Sequence, residues 1–170
     1  LGEGLTLRDS PMWMQHYLAC DRVQVRGLRV FNHATYNNDA IDIDGCHDVT
    51  ISDCVFDTDD DGLTLKSTLD RACENVTITN CVLSSHCNAF KLGTESNGGF
   101  KNITFSNCVI LSPRYSQPIY GKQRGFAGIA LEMVDGGQLE NIVITNVTIS
   151  GVRVPFFLRL GNRARPFLPD

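Results

Sequence analysis

Residues 37–67, NNDAIDIDGCHDVTISDCVFDTDDDGLTLKS, contain two short apolar pairs, Ile41/Ile43 and Leu63/Leu65, each preceded by amide and carboxylate side chains. Asp39 lies two residues before Ile41, and Asp61 lies two residues before Leu63. If the pairs are neighbouring strands in register, Asp39 and Asp61 stack one above the other with Asp60 beside them. Two carboxylates within about 5 Å of each other cannot both ionise freely, so one of them keeps a proton. Hydrolysis of a glycosidic bond needs that combination: a protonated acid for the leaving oxygen and an ionised base for water. The same residue types also satisfy backbone groups in turns, and from spacing alone the two readings weigh equally. A Ca²⁺ site is a third reading, because Asp57, Asp59, Asp60 and Asp61 offer hard oxygen ligands.

The elements that would position these groups form a repeat. One phrase recurs five times: Val23-x-Val25-x-x-Leu28-x-Val30, and its counterparts beginning at Val49, Val76, Ile103 and Ile142. Each copy alternates apolar and polar residues, breaks phase once and resumes, which describes two short strands joined by a bend. A second apolar pair follows each of the last four copies. Ile51 to Leu63, Ile78 to Phe90 and Ile144 to Phe156 are each 12 residues, whereas Phe105 to Ile129 is 24. The excess falls in SPRYSQPIYGKQRG, which reads as an inserted loop at about residues 112–125. Copies of about 22–27 residues without a helical segment predict an all-β fold, a right-handed parallel β-helix of about five to six coils. A β-sandwich would not return Cys, Asn and Ile at one fixed spacing.

Cys54, Cys81 and Cys108 recur every 27 residues and read as one buried ladder; with seven cysteines in all, this spacing does not describe a disulfide framework. Asn75, Asn102 and Asn146 begin N-x-T sequons, but the repeat places them at turns. The chain of 170 residues is expected to form one β-helix domain over 1–170. No polar capping helix is evident at either end, so a segment of a longer β-helix is expected, with an open apolar end where coils are missing. A hydrophobic share of 42% and a charged share of 20% are ordinary for a globular chain. With net charge −4 and no Lys/Arg block, nucleic acid and anionic membrane are poor partners. No apolar run approaches the roughly 18 residues of a membrane span; no signal-peptide pattern opens the sequence, which does not start with Met, so a processed or truncated chain is expected.

Stacked coils lie about 4.8 Å apart, so the alignment of the second pairs predicts ladders. One reads Asp39, Asp61, Asn88, Ala127, Val154. The position before it reads Asn38, Asp60, Cys87, Phe126, Arg153. Beyond the first apolar residue come Asp42, Thr64, Lys91, Ala130, Phe157, and after the pair Asp44, Lys66, Gly93, Glu132, Arg159. The polar face is concentrated on residues 37–94.

Three phrases in order, SPMWMQH at 10–16, NNDAIDIDGC at 37–46 and DTDDDGLTLKS at 57–67, resemble the family 28 glycoside hydrolases, the polygalacturonase family. There an Asn-x-Asp-Gly-Ile-Asp phrase is followed by Gly-Asp-Asp-Cys and an Ile-Lys-Ser ending. The resemblance covers residues 7 to about 99 in its motifs and the remainder by repeat alone. It implies a right-handed β-helix and an inverting, cofactor-free hydrolysis of a pectin-related polysaccharide or oligosaccharide. Asp60 would protonate the leaving oxygen, while Asp39 and Asp61 would hold and deprotonate the attacking water. Asn37 and Lys66 match the family's Asn and Lys. An extracellular or periplasmic monomer without a metal is expected.

Two positions depart from the family pattern. Its Gly-His-Gly phrase falls on Cys87-Asn88-Ala89, which puts Asn88 where a histidine stands beside the acid; His86, two residues earlier, is the candidate to reach back. Its Arg-Ile-Lys phrase falls on Ala130-Leu131-Glu132, and an acidic Glu132 would repel a uronate. Lys91 and Arg159 are the replacement cations; a Glu132–Arg159 surface ion pair is the plainer reading. Trp13 is read more readily as core packing than as a sugar platform, and Tyr115 and Tyr120 as residues of a loop that walls one side of a cleft. Two rival functions stand beside hydrolysis: a carbohydrate-binding β-helix without turnover, and a Ca²⁺-dependent polysaccharide lyase, which would need a basic proton abstractor near the acids.

Overall fold

The alternating phrases fold as stacked strands, and a computed structural model describes residues 4–163 of the chain. Every strand pairing among the described residues is parallel, there is no helix, and each strand pairs with its counterpart one coil away. Three stacks result. The first half of each phrase forms one: Gln24–Arg26, His47–Ser52 and Cys73–Thr79, continued by the front of the long strands Phe100–Leu111 and Leu139–Ser150. Its register sets Ile51 on Ile78, Ile78 on Phe105 and Phe105 on Ile144. The second half forms another, from Thr6–Arg8 through Arg29–Asn32, Val55–Thr58 and Val82–Ser85, with Val30 on Phe56 and Phe56 on Leu83. The third stack holds the acidic pairs: His16–Leu18, Ile41–Asp44, Leu63–Ser67, Asn88–Ser96, Ala127–Met133 and Val154–Leu160.

The bend between the first two stacks has a local cause. Asp53, Asn80, Asn107 and Asn146 all take positive φ, between 52° and 59°, a region Asp and Asn tolerate better than other non-glycine residues. A second ladder at the strand entrance, Asp48, Asn75, Asn102 and Asn141, does the same. Its amides also bond up the stack: Asn75 Nδ2 donates to Asp48 at 2.9 Å, Asn102 to Asn75 at 3.0 Å and Asn141 to Asn102 at 2.9 Å. The sequon asparagines are thus turn formers.

Inside, the apolar halves of the phrases form one core. All seven cysteines are free thiols, and Cys54, Cys81 and Cys108 are buried in a ladder whose Sγ atoms donate to the carbonyls two residues upstream. Phe90 and Phe105 stack across the interior with ring centroids 4.2 Å apart, 4° from parallel, and both are fully buried. Removing such a ring leaves a void that a rigid stack cannot close. Phe105→Ala is therefore expected to cost about 3–5 kcal/mol in urea unfolding. A loss under about 1 kcal/mol would show that the coils relax around it.

The last described strand, Val154–Leu160, exposes Phe156, Leu158 and Leu160, the last of them 91% accessible. The loop at residues 112–126 separates Phe100–Leu111 from Ala127–Met133. The outermost residues of the expected 1–170 domain, 1–3 and 164–170, lie outside the described part.

Candidate active site

The third stack has the register that places Asp39 level with Asp61. Ile41 pairs with Leu63, Ile43 with Leu65 and Leu63 with Phe90, so Asp39, Asp61 and Asn88 fall on one ladder continued by Ala127 and Val154. Lys91 sits between Thr64 and Ala130, and Lys66 beside Asp44. Gly62 makes the close stacking possible. Its N–H donates to the Asn88 carbonyl at 2.8 Å, and a Cβ there would meet the Ala89 carbonyl oxygen at 2.4 Å.

The turn before Asp39 is held by two buried amides. Asn38 accepts from the Ala34 N–H at 2.7 Å and donates to the carbonyls of Ser10 and Met12, both at 2.9 Å; Asn32 donates to the Asp39 carbonyl at 2.9 Å. The SPMW phrase is thereby tied to the Asp39 turn. This tie brings Trp13 to the cleft rim rather than into the core: the ring is half-buried and the Lys66 ammonium lies 4.8 Å from its centroid.

Asp39, Asp60, Asp61, Asn37, Lys66, Asn88 and Lys91 line one open cleft of about 400 Å³. Asp61 accepts from the Asn88 N–H at 3.0 Å, from Asn88 Nδ2 at 2.8 Å and from Lys91 Nζ at 2.8 Å. Burial opposes the charge of Lys91, but the Asp61 carboxylate outweighs it and pushes the ammonium up. Burial, and then the Asp61 charge, raise Asp60 to about 6. Asp39 is pushed well up by burial and then by Asp42, Asp61 and Asp60; its Oδ1 is buried with no hydrogen-bond partner. The site therefore keeps protons where isolated carboxyls would have lost them.

Sequence reasoning did not assign a site role to Asp42 or Glu95. Asp42, wholly buried, is raised to about 6 by burial despite Lys66 Nζ at 3.4 Å. Lys66 also meets Glu95 at 3.2 Å, and Glu95 meets Arg163 at 3.2 Å. Burial alone would raise Glu95; Lys66 chiefly reverses this and lowers it to about 2. The signal in the sequence was the continuation of strand Asn88–Ser96 past its apolar pair.

Other expected residues lie elsewhere. His86 does not reach the acids: it is fully buried on the side of the inserted loop, with Nδ1 2.9 Å from the Lys122 carbonyl and its ring against His33. Glu132 lines an adjoining cleft of about 460 Å³ that shares Asn88 and Phe126 with the first and adds Arg153 and Phe157. Burial raises its carboxyl. Arg159 is the strand neighbour of Glu132 but is exposed, and the two form no ion pair among the described residues. The four-aspartate Ca²⁺ reading also divides. Asp60 and Asp61 face the cleft, whereas Asp57 meets His33 at 3.2 Å and Asp59 accepts the Ile119 and Tyr120 N–H groups at 2.6 and 2.8 Å. That clamp seats the loop so that Tyr120 lines the cleft, while Tyr115 packs on Phe31 and His33.

The model of glycosyl hydrolases family 28 matches residues 3–155. The chain belongs to this family. A probable polygalacturonase of Arabidopsis thaliana is 37% identical over 65 residues, 38% of this chain and 14% of that protein. Two solved exopolygalacturonase structures have a similar fold. The hyperthermoactive exopolygalacturonase of Thermotoga maritima has a TM-score of 0.69 at 23% identity, over 86% of this chain and 35% of that one. The family 28 exopolygalacturonase of Yersinia enterocolitica has a TM-score of 0.60 at 16% identity, over 92% of this chain and 31% of that one. The chain thus spans between 14% and 35% of the length of these relatives.

Proposed function

We propose that this family 28 chain carries the active site of an inverting glycosidase acting on a pectin-related polysaccharide or oligosaccharide. One observation supports it above the others: Asp39, Asp60 and Asp61, from two adjacent coils, converge in one open cleft flanked by Lys66 and Lys91. Asp60 is the general acid that protonates the leaving oxygen, because its proton is retained up to about pH 6. Asp39 and Asp61 hold the attacking water and take its proton. Lys91 steadies Asp61, and Lys66 offsets the charge of Asp42. Trp13 and Tyr120 stand at the walls of the cleft, where an aromatic face fits the C–H face of a pyranose. The reading requires no metal in the cleft.

The same proposal includes a right-handed wind, the expected hand for parallel crossovers, a count of five to six coils, monomeric action, and an extracellular or periplasmic location where such polymers occur. Binding without turnover is the second reading. It is favoured by Glu132 in the adjoining cleft, where an acidic side chain opposes a uronate. A Ca²⁺-dependent lyase is disfavoured, since Asp57 and Asp59 turn away from the cleft.

The stereochemistry tests the mechanism. NMR of freshly released product is expected to show the anomer inverted relative to the substrate linkage; retained configuration would exclude the water-activating pair. The pH dependence has a defined sign. Asp60 must be protonated to act, so turnover is expected to fall as pH rises through about 6. A profile without any alkaline fall would overturn its role, whereas a rising acid limb reports ionisation of the Asp39–Asp61 pair.

A further inference from the structure

His33, Asp59 and His86 form a cluster that the glycosidase reading does not use. All three are buried, and one ligating atom from each lies within 4.8 Å of the others. The hydrogen bonds around them fix which atoms are available. His86 Nδ1 lies 2.9 Å from the Lys122 carbonyl, an oxygen that only accepts, so Nδ1 carries the proton and Nε2 presents a bare lone pair. His33 Nε2 lies 3.2 Å from the Asp57 carboxylate, so the same argument leaves the lone pair on Nδ1. Both of those nitrogens, His33 Nδ1 and His86 Nε2, are buried without any hydrogen-bond partner. Two unpartnered imidazole lone pairs beside a carboxylate are costly as they stand; a cation satisfies all three.

We propose that His33, His86 and Asp59 bind a divalent cation of the zinc type. Two imidazole nitrogens and one carboxylate oxygen suit a borderline metal better than Ca²⁺ or Mg²⁺, which prefer all-oxygen shells. The supporting contacts are those that orient metal-binding histidines: a carboxylate on one ring and a backbone carbonyl on the other. Each Asp59 oxygen already accepts one backbone N–H, from Ile119 or Tyr120, and keeps a second lone pair for the metal. Drawing the donors to about 2.0–2.2 Å from one ion needs only a small inward movement of the rings. The Tyr115 ring, 4.6 Å from that of His33, covers the cluster.

The consequence falls on the loop. Asp59 clamps Ile119 and Tyr120, and His86 exchanges hydrogen bonds with Lys122 in both directions. Gly121 passes so close that a Cβ would meet the His86 carbonyl at 2.2 Å. The ion would thus pin residues 112–126, which supply Tyr120 and Phe126 to the cleft. It would act as a structural ion at a distance from the reaction.

The test is metal retention by the purified full chain after dialysis against zinc, with Co²⁺ as a spectroscopic probe. Expected are a single equivalent of zinc per chain, visible d–d absorption on Co²⁺ loading, and slower proteolysis of the loop when metal is present. Excess Ca²⁺ or Mg²⁺ should not displace it. His33→Gln/His86→Gln should abolish the Co²⁺ signal. Asp57→Asn, which touches only the support of His33, should weaken zinc binding by about 10–100-fold; it serves as the decisive arm if the double variant fails to fold. Retention well below one equivalent would overturn the site, and retention unchanged in these variants would overturn it and assign the metal to other histidines, the exposed His16 or the half-buried His47. Neither result depends on activity, so the glycosidase reading stands or falls separately.

Discussion

Asp60→Asn is expected to lower turnover by about 10²–10⁴-fold, the usual worth of a positioned general acid, with KM and the fold little changed. In free-energy terms this is about 3–5 kcal/mol of lost transition-state stabilisation. The substitution keeps size and shape, and what holds this turn is the Asp60 backbone: its carbonyl accepts from Thr58 Oγ1 at 2.8 Å and Ser85 Oγ at 2.5 Å. An amide in the same place can donate a hydrogen bond but has no acidic proton to transfer to a leaving oxygen. A variant whose KM rises while kcat stays constant would show that Asp60 only binds substrate.

The second large effect is an opposition between activity and stability at Asp39. Burial and three neighbouring carboxylates raise its carboxyl above the ordinary 3.8, and Asp42 is raised to about 6. The folded chain therefore holds these protons more tightly than the unfolded chain does. Stability is fully present below the ordinary carboxylate range, falls as pH rises through the interval up to the raised values, and stays lower above it. Asp39→Asn removes one of the crowded charges. It is expected to abolish most activity yet to raise stability at pH 7 by about 0.5–2 kcal/mol, with the gain vanishing below about pH 4. Urea unfolding at several pH values measures it. A variant less stable than wild type at pH 7, with the same pH slope, would show that the Asp39 carboxylate is a structural partner.

Much of this could be read from the residues. Period-two alternation with a single phase break marks both strands and bend, and one misplaced residue would have turned every side chain over. Hence the ladders through Asp39, Asp61 and Asn88, and through Thr64, Lys91 and Ala130, were legible in the sequence. Turn side chains were not, because no periodicity governs them. His86 and Asp59 turn toward the loop while Asp60 and Asp61 face the cleft, although three of the four are consecutive in sequence. Trp13 lies in a phrase without strand alternation, and its place at the cleft follows from the hold of Asn38 on Ser10 and Met12. Glu132 and Arg159 share a rung as expected, but burial of one and exposure of the other keep them from pairing. The metal cluster joins residues 33, 59 and 86, one from each of three coils, at corners where the repeat itself gives no apolar pattern to follow.

The most direct test of the hydrolase assignment is end-group analysis of pectic and neutral polysaccharides incubated with the wild-type chain and with Asp60→Asn in parallel. Saturated reducing ends released from a pectic polymer by the wild type, and absent with the variant, are the predicted result. Unsaturated ends, release undiminished by the substitution, or binding without any release would contradict it.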